Sequence, residues 1–324
     1  MKFGDYPLAE CEGAILAHGV AGLSKGDRLD HDAIAAARAA GLETLPVAIP
    51  EAGDILEAEA AMRIARALAG PAIRAEAPVH GRVDLVAEKH GLLTFDADAV
   101  GKLNAQTEAV GVATRAPLDP VRAGTTVATL KIVPFAMAGE LVDKAETAGR
   151  TARLAIAPFE PLRGLLIQTR HAATPEKMLA KTARVSRTRI EDLGGTMTEA
   201  EQPEHAVQTL AEALGSSAAA NADLVLVAGA SATSDRRDVI PQAILAAGGR
   251  IERLGMPVDP GNLLLLGSLR EKPVIGLPGC ARSPKRNGFD MVLERLFAGM
   301  PVTSADIAAM GAGGLIAPGA RPDG

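Results

Sequence analysis

The stretch "ADLVLVAGASATSDRRDVIPQAILAAGG" puts its chemistry directly after an apolar run. Gly229, Ala230, Ser231, Ala232, Thr233 and Ser234 carry little side chain, so backbone N–H groups can approach a ligand closely. The hydroxyls of Ser231, Thr233 and Ser234 can donate to phosphate oxygens. Asp235 and Asp238 follow, and a pair of carboxylates beside a phosphate suits Mg2+ and a catalytic role in phosphate chemistry. Two plainer readings stand beside this one. The loop also serves as a tight strand-to-helix connection, and the two aspartates also serve as ion-pair partners of Arg236 and Arg237.

Two further segments carry similar residues. "QTRHAATPEK" presents Thr169, Arg170 and His171 ahead of a helix that Thr174 caps and Pro175 begins. In "GLPGCARSPKRNG", Pro278 and Gly279 shape a turn, Ser283 is an N-cap and Pro284 takes the first helical position. Lys285 and Arg286 then fall in the first turn, where cations oppose the helix dipole by a few tenths of a kcal/mol. A helix N-terminus attracts anions, so cations there point to a recruited anion. His171 and His205 read as ordinary surface or helix-end residues, and Cys280 as a partly buried, inert thiol.

The elements that must position these loops alternate along the second half of the chain. Strand-like runs "RGLLIQT", "DLVLVAGA", "NLLLLG" and "KPVIGLPG" are separated by helical patterns. Uninterrupted apolar runs fit strands covered on both faces, and the alternation fits βαβ units. The expected fold class is α/β: a C-terminal mostly parallel sheet with helices on both faces, preceded by an α+β, β-rich N-terminal region. Ligands of such sheets bind beyond the carboxyl ends of the strands, where these three loops would lie. The expected organisation is a small α/β unit over 1–72, a β-rich region over 73–155, the ligand-binding domain over 156–300 and an extended tail over 301–324.

Composition narrows the function classes. The chain has 324 residues, 48% hydrophobic and 23% charged, with a formal net charge of −5. That balance leaves no electrostatic footprint for nucleic acid, and no Trp, one Tyr and six Phe make a poor base-stacking platform. Cys11 and Cys280 stand far apart, which speaks against a disulfide framework and for a reducing compartment. No Cys or His pair has metal-ligand spacing. The N-terminus lacks a signal-peptide core and no apolar run spans a bilayer, so the expected compartment is the cytoplasm, with no membrane partner.

At these loops the sequence resembles the molybdopterin-binding domain family, which includes molybdopterin adenylyltransferases and molybdopterin molybdenumtransferases. "AGASATSDRRDVIPQAIL" is similar to the family's strand, Gly/Thr-rich loop, Asp and helix. "MPVDPGNLLLLGSLREKPV" and "VIGLPGCARS" resemble its two later Pro-Gly turns. The likeness spans about residues 160 to 300.

Position by position, Gly229, Ala230, Ser231 and Ala232 match the cofactor loop, Asp238 the following Asp with Asp235 as its acidic neighbour, Pro260 and Gly261 the second turn, and Pro278 and Gly279 the third, beside Ser283. The resemblance implies that the chain binds molybdopterin or its nucleotide form with Mg2+. It implies a role in molybdenum-cofactor biosynthesis through adenylylation or molybdenum insertion, as a homo-oligomeric transferase. It also admits a non-catalytic carrier that delivers the cofactor to a molybdoenzyme, or a partner of a nucleotidyltransferase. Three departures bear on reaction more than on binding. Ala230 replaces a family Gly, Ser231 replaces a Thr, and the segment around Arg170 is neutral to basic where molybdenumtransferases are acidic.

Overall fold

The computed structural model describes residues 1–316, and the chain forms two compact units, Met1–Ile156 and one beginning at Ala157. In the first unit, strands Lys2–Pro7, Thr44–Ile49 and Ile15–Leu16 make an antiparallel sheet with Thr44–Ile49 in the middle. The helix His31–Ala39 begins at Asp30, whose carboxylate accepts the Ala33 N–H, and Gly41 turns the chain at φ +80° just beyond its end. A four-stranded antiparallel sheet runs in the order Ile73–Ala75, Arg82–Ala87, Thr126–Ile132, Val110–Thr114. Its apolar residues share one core with Ile64 and Leu68 of the helix Glu57–Leu68 and with Val142 of the helix Gly139–Thr151. That core therefore draws on residues from both sides of position 72.

The second unit is α/β and built on a six-stranded sheet. Its order is Thr196–Glu199, Arg163–Gln168, Leu224–Ala228, Lys272–Gly276, Leu265–Leu269, Arg250–Leu254. The first four strands are mutually parallel and the last two add an antiparallel hairpin. Strand side chains alternate between two cores. Leu166, Leu224, Leu226 and Ile275 pack with Ile190, Phe289 and Phe297 on one face. Leu165, Ile167, Val225, Val227 and Val274 pack with Leu210, Ile240 and Ile244 on the other. Helices thus cover both faces, which is why these strands read as continuous apolar runs rather than alternating ones.

Helix boundaries differ from expectation in three places. The helix Glu176–Asp192 has Pro175 as its N-cap, while the Thr174 hydroxyl accepts the His171 N–H at 2.9 Å in the preceding turn. The helix Gly288–Phe297 is capped by Asn287 in a reciprocal capping box with Asp290, not by Ser283. Lys285 and Arg286 therefore precede the helix instead of occupying its first turn. Within the expected extended tail, Ser304–Ala309 is helical, closed by a second capping box between Thr303 and Asp306. The remainder of that tail, 317–324, lies outside the described residues.

Among the described residues no helix is long and apolar enough to cross a membrane.

Candidate functional site

From the Arg163–Gln168 strand the chain runs through helix Glu176–Asp192 to Thr196–Glu199 on one side. It returns through helices Val207–Gly215 and Ser217–Asn221 to Leu224–Ala228 on the other side. The strand order therefore reverses between Arg163–Gln168 and Leu224–Ala228, and such a switch point opens a crevice at the carboxyl ends of the strands. The register of the hairpin, with Leu265 opposite Gly276 and Leu254 opposite Leu265, brings the 255–264 turn to the same sheet edge.

A hydrogen-bonded chain spans the switch point. The Ala230 N–H donates to Thr169 Oγ1 at 3.0 Å. Thr169 Oγ1 lies 2.7 Å from His205 Nδ1, and His205 Nε2 lies 3.0 Å from Ser231 Oγ. Thr169 is buried, Ser231 is exposed and His205 is half-buried. The His171 ring meets His205 edge-on at 5.0 Å. Burial holds the His205 pKa below its ordinary value, aided by His171 and opposed by Asp238.

His205 is the residue that sequence reasoning misses: it is neither an ordinary surface residue nor an idle helix end, but the link between two loops. The available signal is position. It lies in the 200–206 segment after the Thr196–Glu199 strand, a fourth loop on the same edge.

Gly229 has an internal reason to be glycine. A Cβ there would stand 2.6 Å from the Ser231 carbonyl oxygen and 3.0 Å from the Ile240 side chain. Its own carbonyl accepts from Arg282 at 2.7 Å, joining the second loop to the third. Further along, the N–H groups of Ser231, Ala232 and Thr233 have no acceptor among the described residues. Three successive N–H groups left over in a small-residue loop are the raw material of an anion-binding nest. The Ser234 N–H, by contrast, donates to Asp238 at 3.3 Å.

The two aspartates differ in what they have left to give. Both oxygens of Asp235 are engaged by Arg237, through its N–H and guanidinium, and the pairing holds that carboxyl below its usual range. Asp238 is the N-cap of helix Val239–Ala246, with one oxygen accepting the Val239 N–H at 2.8 Å and the other the Ser234 N–H. Each Asp238 oxygen keeps a lone pair. Asp235 takes two hydrogen bonds on one oxygen and a long one on the other, so a cation would meet less competition at Asp238. No group of three or more His, Cys, Asp or Glu residues gathers in metal-binding fashion among the described residues.

Arg170 is likewise engaged, 2.7 Å from Glu176 and 3.3 Å from Gln202. Pro260 and Gly261 pack on a helix start: the Gly288 N–H donates to the Pro260 carbonyl at 2.8 Å, and a Cβ on Gly261 would meet Gly288 N at the same distance. The third loop, with Pro278, Gly279, Ser283 and Lys285, is shaped from below by Arg189, a second residue the sequence reading misses. Its guanidinium donates to the carbonyls of Ala281, Ser283 and Lys285 at 2.7 to 3.0 Å and to Asp290 at 2.6 Å. Gly279 is exposed, and a Cβ there would meet nothing within 4 Å. Cys280 is a free, half-buried thiol whose pKa burial raises.

Fold and site together define an α/β unit whose parallel sheet has a switch point, with unengaged hydrogen-bond donors in a loop beside it. No family model and no curated protein matches the chain. Among solved structures, the chain is similar to the molybdopterin biosynthesis MoeA protein from Pyrococcus horikosii. The identity is 12% and the TM-score 0.33, covering 92% of this chain and 75% of that one. A likeness of that depth bears on neither ligand nor reaction.

Proposed function

We propose that the second unit binds the phosphate of molybdopterin, or of its nucleotide form, and acts in molybdenum-cofactor biosynthesis. The observation that carries this reading is the trio of unengaged N–H groups at Ser231, Ala232 and Thr233, beside the Ser231 hydroxyl, at the switch point of a parallel sheet. Neutral donors in the loop just beyond a parallel strand's carboxyl end suit a phosphate oxygen. Gly279 adds support, because no protein neighbour explains its missing side chain and an exposed backbone there admits a ligand. The resemblance of these loops to the molybdopterin-binding family supplies the pterin.

In this reading the loop amides and Ser231 hold the phosphate, and Lys285 stands in the exposed third loop to meet further negative charge. Mg2+ neutralises charge developing on phosphate when bound, and Asp238 is the carboxylate able to take it. Asp235 positions the loop through Arg237. That commitment favours a second reading, a carrier of the finished cofactor, since an adenylylating or metal-inserting site would draw on both carboxylates.

The direct test is mass spectrometry of the molecule that co-purifies from a host making the cofactor. A pterin phosphate or its nucleotide form supports the assignment, and a non-pterin metabolite in its place removes it. Incubation with molybdopterin, ATP and Mg2+, and separately of the adenylated form with molybdate, then divides enzyme from carrier. Product in either reaction identifies a transferase; tight binding without turnover identifies a carrier.

A further inference from the structure

The contacts around Thr169 fix which ring nitrogen of His205 carries the proton. Thr169 Oγ1 has two partners, the Ala230 N–H and His205 Nδ1, and no third among the described residues. The backbone N–H donates in any arrangement, so the hydroxyl accepts there. Its one hydrogen must then go to His205 Nδ1. The reverse, with Nδ1–H donating, leaves a buried hydroxyl hydrogen without an acceptor, since Thr169 is 1% exposed. A neutral ring accepting at Nδ1 carries its proton on Nε2 and donates it to Ser231 Oγ at 3.0 Å. Ser231 already accepts from the ring, so its own hydrogen is free to point outward.

We infer that Ala230, Thr169, His205 and Ser231 form a one-way donor relay whose exposed end is the Ser231 hydroxyl, and that this end donates its hydrogen to an anionic ligand oxygen, assigned here to the proposed phosphate. His205 and Thr169 are positioning residues in this scheme and Ser231 is the group that touches ligand. The same arrangement denies His205 the role of general base toward Ser231, although the serine–histidine spacing taken alone suggests a nucleophile pair. His171 and Asp238 are the titratable groups whose charges act on the ring, from the first loop and from the helix cap. The low His205 pKa agrees with the relay, because a second ring proton would confront an oxygen that already donates.

The ligand class rests on the proposed phosphate site, but the proton assignment does not, so two measurements on the full-length chain separate them. Long-range 1H–15N correlation at neutral pH reads the tautomer directly: a pyridine-type Nδ1 and a protonated Nε2 are expected, and the opposite pattern overturns the relay. Inorganic phosphate titrated by NMR then reads the outer end. Ser231→Ala is expected to weaken phosphate about tenfold, as for the loss of one hydrogen bond to a charged group. Thr169→Val is expected to weaken phosphate to a similar degree, and Thr169→Ser to restore it. The expected tautomer with no phosphate binding by the wild-type chain keeps the relay's direction, overturns its assigned ligand class and tells against the proposed phosphate site.

Discussion

Arg189→Met tests whether the third loop is held from beneath by one side chain. Arg189 is 8% exposed and its guanidinium makes four hydrogen bonds, three to carbonyls of Ala281, Ser283 and Lys285 and one to Asp290. It also lies 5.8 Å from the Phe289 ring centre. Methionine keeps most of the apolar stem and removes every donor. Breaking a buried, hydrogen-bonded charge pair from one side costs about 3–5 kcal/mol. Asp290 retains the Asn287 N–H at 2.7 Å and its side chain is 15% exposed, which places the expectation at the lower end, about 3 kcal/mol. At about 1.4 kcal/mol per decade this is roughly a hundredfold rise in local opening. The chain has no Trp, so the assay is hydrogen exchange by mass spectrometry on peptides covering 279–297. Arg189→Lys keeps the Asp290 pair but cannot reach three carbonyls, and should fall between wild type and Met. A change below about 1 kcal/mol, the size of an exposed ion pair, would refute the claim that Arg189 shapes this loop.

Three other outcomes follow from the geometry. Gly229→Ala places a methyl 2.6 Å from a backbone oxygen, so the loop must move; a loss of about 1–3 kcal/mol in thermal unfolding and of phosphate binding is expected. Asp238→Asn should leave stability within about 0.5 kcal/mol, because Asn caps as well as Asp, while any Mg2+ dependence of phosphate binding disappears. Asp223 accepts from the Arg163 guanidinium and N–H, which depresses its pKa to about 2. A depressed carboxyl contributes stability above its unfolded value of 3.8 and loses it as pH falls toward 2. Asp223→Asn should therefore flatten the acid limb of the stability curve between those values. At neutral pH it should cost about 1 kcal/mol, a figure reduced for screening because Arg163 is 64% exposed.

Much of the sheet was legible because buried parallel strands need apolar residues on both faces, and "LVLVA" has no other use for them. The Asp30 cap and the stop at Gly194, with φ +85°, are local features that a few residues of sequence suffice to encode. The start of the helix Gly288–Phe297 was not. "SPKR" and "NGFD" each offer a cap, and Arg189 disfavours the first by taking the carbonyls of Ser283 and Lys285 that a helix capped at Ser283 would need. That donor lies more than 90 residues away along the chain. The same holds at His205, whose partners Thr169 and Ser231 stand 36 residues before it and 26 after it. Ala97–Ala105 escaped notice because Gly101 interrupts a short, weakly patterned stretch, although Asp96 caps it. The helix Ser304–Ala309 was masked by the Gly and Pro around it.

Side chains that suggest chemistry in the sequence are mostly spent on building the loops. Asp235 is taken by Arg237, Asp238 by the helix it caps, Arg170 by Glu176, Arg286 by Glu294 and Arg282 by the Gly229 carbonyl. What is left without a protein acceptor among the described residues in the second loop is the backbone N–H of Ser231, Ala232 and Thr233. Only substitution to proline removes a backbone donor, but other changes can misplace it through Gly229 and the Ala230–Thr169 bond in the same loop. At the proposed site, recognition would therefore be more exposed to changes that alter loop shape than to changes that remove charge. On that reasoning Gly229 and Thr169, neither of which presents a charge, matter more to binding than Asp235 or Arg237.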